Sequence, residues 1–214
     1  MTHRPNRYSD DFLLDAAAEV FHARGFHEVS MDDVAAHAGV TKPTYYARFG
    51  VKEKVFDAVL QRVADSLNAH FDTLYEEGPS DNVEDGIERL VRSFFAWVRA
   101  NPVGFQLLFA SDQIAPAGVD HRARALNTLA ETLRAGVGRF LRERGLRPGR
   151  ATGLIVASFV AVLRGASEWL IGHEDADRVD PEAFCTAFIL HGLAGVDPRS
   201  LSARRRKRSA ADVT

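Results

Sequence analysis

Residues 30–54 read SMDDVAAHAGVTKPTYYARFGVKEK, and the fold and the function both turn on this stretch. Ser30 and Asp33 have the spacing of a capping box, which starts a short helix with Val34, Ala35 and Ala38 turned inward. Gly39 stops it with a sharp turn that a side chain would obstruct. Thr41 then stands where it can cap a second short helix, and Pro43 is tolerated in a first turn. That helix ends near Phe49-Gly50, with Val40, Tyr45 and Phe49 on its inward side. Small Ala35 lets the two helices approach closely. The geometry is helix-turn-helix, which places the second helix in the major groove of duplex DNA.

The outer surface carries suitable chemistry. Lys42, Pro43 and Thr44 lie at the end of the helix that approaches base edges, and Arg48 adds a donor one turn on. Thr41 and Tyr46 suit phosphate oxygens, and Lys52 opens the following helix, where backbone N–H groups favour phosphate. The stretch from Val40 to Lys52 holds Lys42, Arg48 and Lys52 and no acid. This matters because bulk charge does not advertise DNA binding. The chain of 214 residues has a formal charge of −2. Its last eighteen residues hold six Lys/Arg against two Asp, so the rest is acidic and any DNA contact must come from a local patch.

Outward from this stretch, apolar residues recur at helical spacing almost throughout and alternating strand patterns are missing. The reading is all-α, with about nine helices. Ser9 caps a first helix, Asp10 to about Arg24, stopped by Gly25. A long helix of roughly 36 Å, Lys52 to Tyr75, links the N-terminal part to the remainder. Later helices are expected at 83–100, 103–111, 121–144, 150–172 and 180–195. The expected organisation is a DNA-binding domain at 1–55, a second domain at 56–196, and a solvated, disordered basic tail at 197–214 that contains Arg204–Arg208.

In the second domain, Phe94, Phe95, Trp97, Phe105, Phe109, Phe159, Leu163 and Trp169 form an aromatic-rich set able to line an apolar cavity. A filled core is the competing reading for each of them. The last two long helices carry more apolar surface than one neighbour covers: Ile155, Phe159 and Val162 on the first, Phe184 and Phe188 on the second.

Val40 to Lys54, with Tyr46, Phe49 and Lys52 in register and Gly25-Phe26, Val34-Ala35 and Gly39-Val40 upstream, resembles the DNA-binding signature of TetR-family transcriptional regulators. The specific match covers roughly residues 9–56, and the remainder matches in architecture. Pro43 departs from the small residue frequent there, which leaves the base preference open. The resemblance implies a homodimer whose last two helices build a four-helix interface, reading a palindromic operator. It also implies a domain that senses a small, mostly apolar effector and, by the family's default, repression released by that effector.

Other features exclude alternatives. Cys185 is the only cysteine, so no internal disulfide forms. Met1–Tyr8 is polar, so a secretory leader is not expected, and the longest apolar run, Leu154 to Leu163, falls short of the ~20 residues of a membrane span. A cytoplasmic, nucleoid-associated protein is expected, with no membrane partner. His173–Asp177 lacks metal-ligand spacing, so no metal is expected, nor any cofactor. An enzyme with an apolar pocket and a DNA-binding protein without an effector are the alternatives. No nucleophile–base set or phosphate loop supports the first, and a solid second domain would favour the other.

Overall fold

The computed structural model describes residues 8–76, 80, 82–109, 127, 130–131, 133–139, 141–142, 145, 147–173 and 178–195. The acidic loop 174–177 and the basic tail 197–214 lie outside the described residues. Within them all regular structure is helical: α1 (Asp10–Glu28), α2 (Met31–His37), α3 (Lys42–Arg48), α4 (Lys52–Glu76), α5 (Val83–Ala100), α6 (Pro102–Phe109), a helix α7 whose described turns include 133–139, α8 (Arg150–Gly172) and α9 (Pro181–Gly195).

Local chemistry sets the boundaries. The Ser9 hydroxyl accepts the Phe12 amide at 3.1 Å and starts α1. The helix bends at Gly25, whose backbone leaves the helical region (φ 75°, ψ 156°), and one further turn carries Phe26 inward. The capping box at α2 is complete: the Ser30 amide donates to Asp33 at 2.8 Å and the Asp33 amide donates to Ser30 Oγ at 3.2 Å. The Ser30 hydroxyl, which donates to the Asp33 carboxylate at 2.5 Å, the Ser30 amide and then Arg24 at 2.7 Å hold that carboxyl well below the usual carboxylate range. Helix α2 ends in a Schellman turn. The Gly39 amide donates to the Ala36 carbonyl and the Val40 amide to the Ala35 carbonyl, at 3.1 and 3.0 Å. Gly39 sits at φ 64°, where a Cβ would crowd the following carbonyl. Thr41 occupies the N-cap position of α3, but its hydroxyl makes no capping bond and pairs instead with the Thr44 hydroxyl at 3.0 Å. Asn82 caps α5 by accepting the Asp85 amide at 2.8 Å, and Asp180 caps α9 by accepting the Ala183 amide at 2.9 Å.

Helices α1 to α3 form a head around Leu13, Ala17, Phe21, Val34 and Tyr45, all buried. Phe21 and Phe26 pack on Phe56 of α4, each with ring centroids 5.1 Å away. Helix α4 continues into the body, where Trp97 donates its ring N–H to Ser66 at 3.1 Å and the His70 ring nitrogen lies 2.9 Å from the Ser93 carbonyl. Short α6 wedges into the joint: it packs on α1 and α4 on one side and on α5 and α8 on the other. Gly104 lets it settle on α4, because a Cβ there would stand 3.1 Å from Val63. Helix α9 lies across α5 and α8.

One expectation changes. The segment Thr152–Gly172 is long and apolar enough, by length and composition, to cross a membrane, because the single Arg164 and Glu168 do not offset its Ala, Val, Leu and Ile content. Its inner face, with Val156, Phe159 and Leu163, is buried in the body; the exposed residues mix Leu154, Ala157 and Ala161 with Ser158, Arg164 and Glu168.

Candidate nucleic-acid interface and effector cavity

The inward side of α3 is fixed first. Tyr45 is fully buried and its hydroxyl donates to the Leu13 carbonyl at 2.8 Å, so α3 is docked by one aromatic anchor with a polar tip. Burial pushes that phenol up to about 12. With Tyr45 inside, the opposite side of α3 faces outward: Thr41, Pro43 and Tyr46 are exposed, and Lys42, Thr44 and Arg48 are half-buried.

The cations are not idle. Lys42 Nζ is 2.9 Å from Asp32 of α2, and that hydrogen bond raises the amine above its usual value. Arg48 is 2.9 Å from Asp10 and donates to the Tyr8 carbonyl at 2.6 Å. The absence of acids between Val40 and Lys52 is therefore a property of the chain, not of the surface; acids from α1 and α2 fold onto it. Lys52 is tied more firmly. Its ammonium donates to the Phe26 and Val29 carbonyls, both at 2.9 Å, and lies 4.3 Å from the centre of the Phe26 ring. It closes the carbonyl end of α1 onto α4. Lys54, two residues on, is exposed and its stem lies against Gly50. Spacing along the chain does not single it out, because only the first basic residue after the turn belongs to the signature.

The aromatic set expected to line a cavity is divided by the structure. Phe94, Phe95, Trp97 and Leu163 are packed in the core. Trp169 is on the surface, stacked on His173 with centroids 4.7 Å apart. Phe105 and Phe109 border an open groove of about 330 Å³ between α1, α6 and α8, together with His22 and Glu168. Phe159 alone among the set lines a second hollow, about 290 Å³, enclosed by the end of α4, the start of α5, α7 and α8. Its walls are mainly aliphatic: Val83, Ile87, Leu90, Leu133 and Val137. The spacing of the aromatics assigns them to helix faces but does not say what lies opposite each face.

The expected interface residues divide too. Ile155 and Phe159 point into the body and are nearly buried. Phe184 and Phe188 are more than half exposed and stack on each other at 5.9 Å. On α8, Leu154, 70% exposed, and then Ala157, Ala161 and Gly165 are also open to solvent. Val162 is half-buried.

A head of two short helices around a glycine turn, its reading helix docked by a buried tyrosine and open on one side, defines a helix-turn-helix regulator that binds DNA. The profile of the bacterial regulatory proteins of the tetR family matches residues 13–59. The transcriptional activator FasR of Mycolicibacterium smegmatis is 30% identical over 185 residues, covering 86% of this chain and 82% of that protein. The chain belongs to the TetR family of bacterial transcriptional regulators. The fold agrees over nearly its whole length with a TetR-like regulator from Rhodococcus sp. RHA1: TM-score 0.71 at 22% identity, covering 91% of this chain and 100% of that one. FadR of Bacillus subtilis, solved in complex with stearoyl-CoA, shares the fold at a TM-score of 0.66 and 14% identity, covering 88% and 100% of the two chains. These relatives regulate transcription and are not enzymes, and the same class holds for this chain.

Proposed function

We propose that this chain acts as a homodimeric repressor of a palindromic operator, released by a small, mostly apolar effector. The observation that carries the DNA-reading half is the outward face of α3. Thr41, Lys42, Pro43, Thr44, Tyr46 and Arg48 share it, and the acids that hold Lys42 and Arg48 are themselves solvent-facing. Phosphate exchanges for Asp32 and Asp10 at little cost, because pairs this exposed are weak. Lys52 already uses two of its three N–H donors on backbone carbonyls, so its role is to hold the head on α4 rather than to grip phosphate. Lys54 joins the phosphate-contacting set.

The outer surface of α8 and α9 supports the dimer. Leu154, Phe184 and Phe188 leave large apolar side chains open to solvent on these two helices, an exposure that a second copy would cover. Twofold pairing would set two reading helices about 34–36 Å apart, one turn of B-DNA. The cavity behind α5 supports the effector: a ligand that prefers a differently spaced dimer shifts the population away from DNA. Operator must then weaken ligand binding by the same factor.

The test is selection of sites from random duplex DNA by the purified chain at physiological salt. A palindromic motif is expected; a folded protein that enriches no motif overturns the proposal. A second reading, an activator, is favoured by the name of the relative FasR. Transcription from the selected site in cells lacking the regulator separates the two: it rises for a repressor and falls for an activator.

A further inference from the structure

Lys42 and Asp32 face each other across the Gly39 turn. Asp32 stands in the first turn of α2, Lys42 is the first residue of α3, and 2.9 Å separates the ammonium from the carboxylate. Their neighbours are engaged elsewhere. Asp33 accepts from Ser30 and pairs with Arg24. Arg48, at the far end of α3, is held by Asp10 and by the Tyr8 carbonyl. Asp32 is exposed and lies outside the Ser30–Asp33 capping box, and a pair this open adds little to stability. Its effect is on where the ammonium goes. An ammonium has three donors, and Asp32 takes one of them. Two remain for the O6 and N7 acceptors of guanine, the commonest specific contact that lysine and arginine make in the major groove. A phosphate asks instead for an exchange: Lys42 leaves one anion for another, and Asp32 stays beside the duplex without its counter-ion. On a base edge the carboxylate helps by fixing the ammonium; on the backbone it competes for it.

We propose that Asp32 is a positioning residue for DNA reading: it holds Lys42 for a guanine edge in each half-site and keeps that ammonium off the phosphates. This rests on the reading of the outward face of α3 and deepens it, by naming one base and the group that selects it. The gain lies in discrimination rather than in affinity. On non-operator DNA Lys42 contributes almost nothing, because it gives up Asp32 to gain a phosphate. On the operator it keeps Asp32 and adds a base contact, and such contacts discriminate against the wrong base by roughly 5- to 150-fold.

The test is fluorescence anisotropy of the full chain, over a range of salt, on the operator found by site selection, on that operator with each G·C pair replaced by A·T in turn, and on a random duplex. The wild type is expected to lose about tenfold or more at one G·C pair in each half-site. Asp32→Ala is expected to bind the random duplex about fivefold tighter, with a salt slope steeper by about one, because Lys42 then counts a phosphate. Its operator affinity is expected to change by less than about twofold, while the penalty at that G·C pair falls severalfold. Lys42→Met is expected to remove the penalty at the same pair and, combined with Asp32→Ala, to cancel the gain on random DNA. Glu53→Ala, which takes an exposed acid from the first turn of α4, is expected to move both duplexes alike. If Asp32→Ala also moves both alike, Asp32 acts as bulk charge and the proposal is overturned. A gain on random DNA that survives Lys42→Met overturns the pairing as its cause. Absence of any costly G·C pair in a bound operator overturns the guanine assignment. A folded wild type with no sequence preference overturns the reading of α3, and the proposal with it.

Discussion

The head and the body use the same kind of element but are held together by different means. In the head, short helices meet at directional polar joints: the Ser30–Asp33 box, the Schellman turn at Gly39, the Tyr45 hydroxyl on Leu13, and the Lys52 ammonium on Phe26 and Val29. In the body, long helices meet over broad apolar faces, and one such face, on α8 and α9, is left uncovered while a hollow opens behind α5. Joints of the first kind specify one arrangement to within a few tenths of an ångström. Apolar faces tolerate several arrangements of similar energy, which is what a sensing and pairing module requires. The head is packed within a single chain; in the function proposed above, the body is completed by a second copy and by a ligand.

The largest expected effect tests whether the uncovered face is what completes the body. Replacing both Phe184 and Phe188 with Asp places like charges on each side of a twofold contact. Sedimentation should then find a monomer with unchanged helicity, and operator affinity should fall at least ~100-fold because half-sites bind singly. A dimer that survives breaks the contrast. Next is the anchor of the head. Tyr45→Ala should cost about 3–5 kcal/mol in denaturant unfolding, as truncations of buried aromatics do, whereas Tyr45→Phe, which loses only the bond to Leu13, should cost about 1 kcal/mol.

The third prediction separates two lysines that the chain places side by side. Lys52→Ala should lower stability by about 1–3 kcal/mol, through loss of two charge-assisted bonds, and barely change the salt dependence of operator binding. Lys54→Ala should do the reverse: unchanged Tm, and a salt slope smaller by about one. If Lys52→Ala takes the slope, the joint is also a phosphate grip. The smallest effect belongs to the capping box. Ser30→Ala should cost roughly 1 kcal/mol near neutral pH. Because Asp33 is held below its usual value of 3.8, its share is present above that pH and is lost as pH falls through and below it. The gap between wild type and Ser30→Ala should therefore narrow in acid.

The same division explains what the sequence made legible. The box, the glycine turn, the inward Tyr45 and the limits of α5 and α8 depend on neighbours a few residues away, so spacing and residue type suffice. The pairing of Lys42 with Asp32 depends on the angle at the α2–α3 turn, and that of Arg48 with Asp10 on how α1 folds back; helical spacing encodes neither. The surroundings of the body's aromatics are hidden from the sequence for a related reason. Phe94 and Phe159 each lie on an apolar helix face, but whether such a face meets another side chain or a hollow is decided by helix crossings that periodicity does not encode. Leu154 and Ile155 show the limit most directly: adjacent apolar residues, one 70% exposed and the other nearly buried.

The fit of α6 carries a mechanical consequence. This eight-residue helix touches the head through α1 and the body through α5 and α8, and Gly104 leaves it only hydrogen-sized clearance from Val63. A methyl group at position 104 would demand a displacement of a few tenths of an ångström there and nowhere else. Gly104→Ala is thus a shim driven into a hinge. It should reset the resting tilt of the head with no effector present, and the direction in which operator affinity moves would report which way the lever turns.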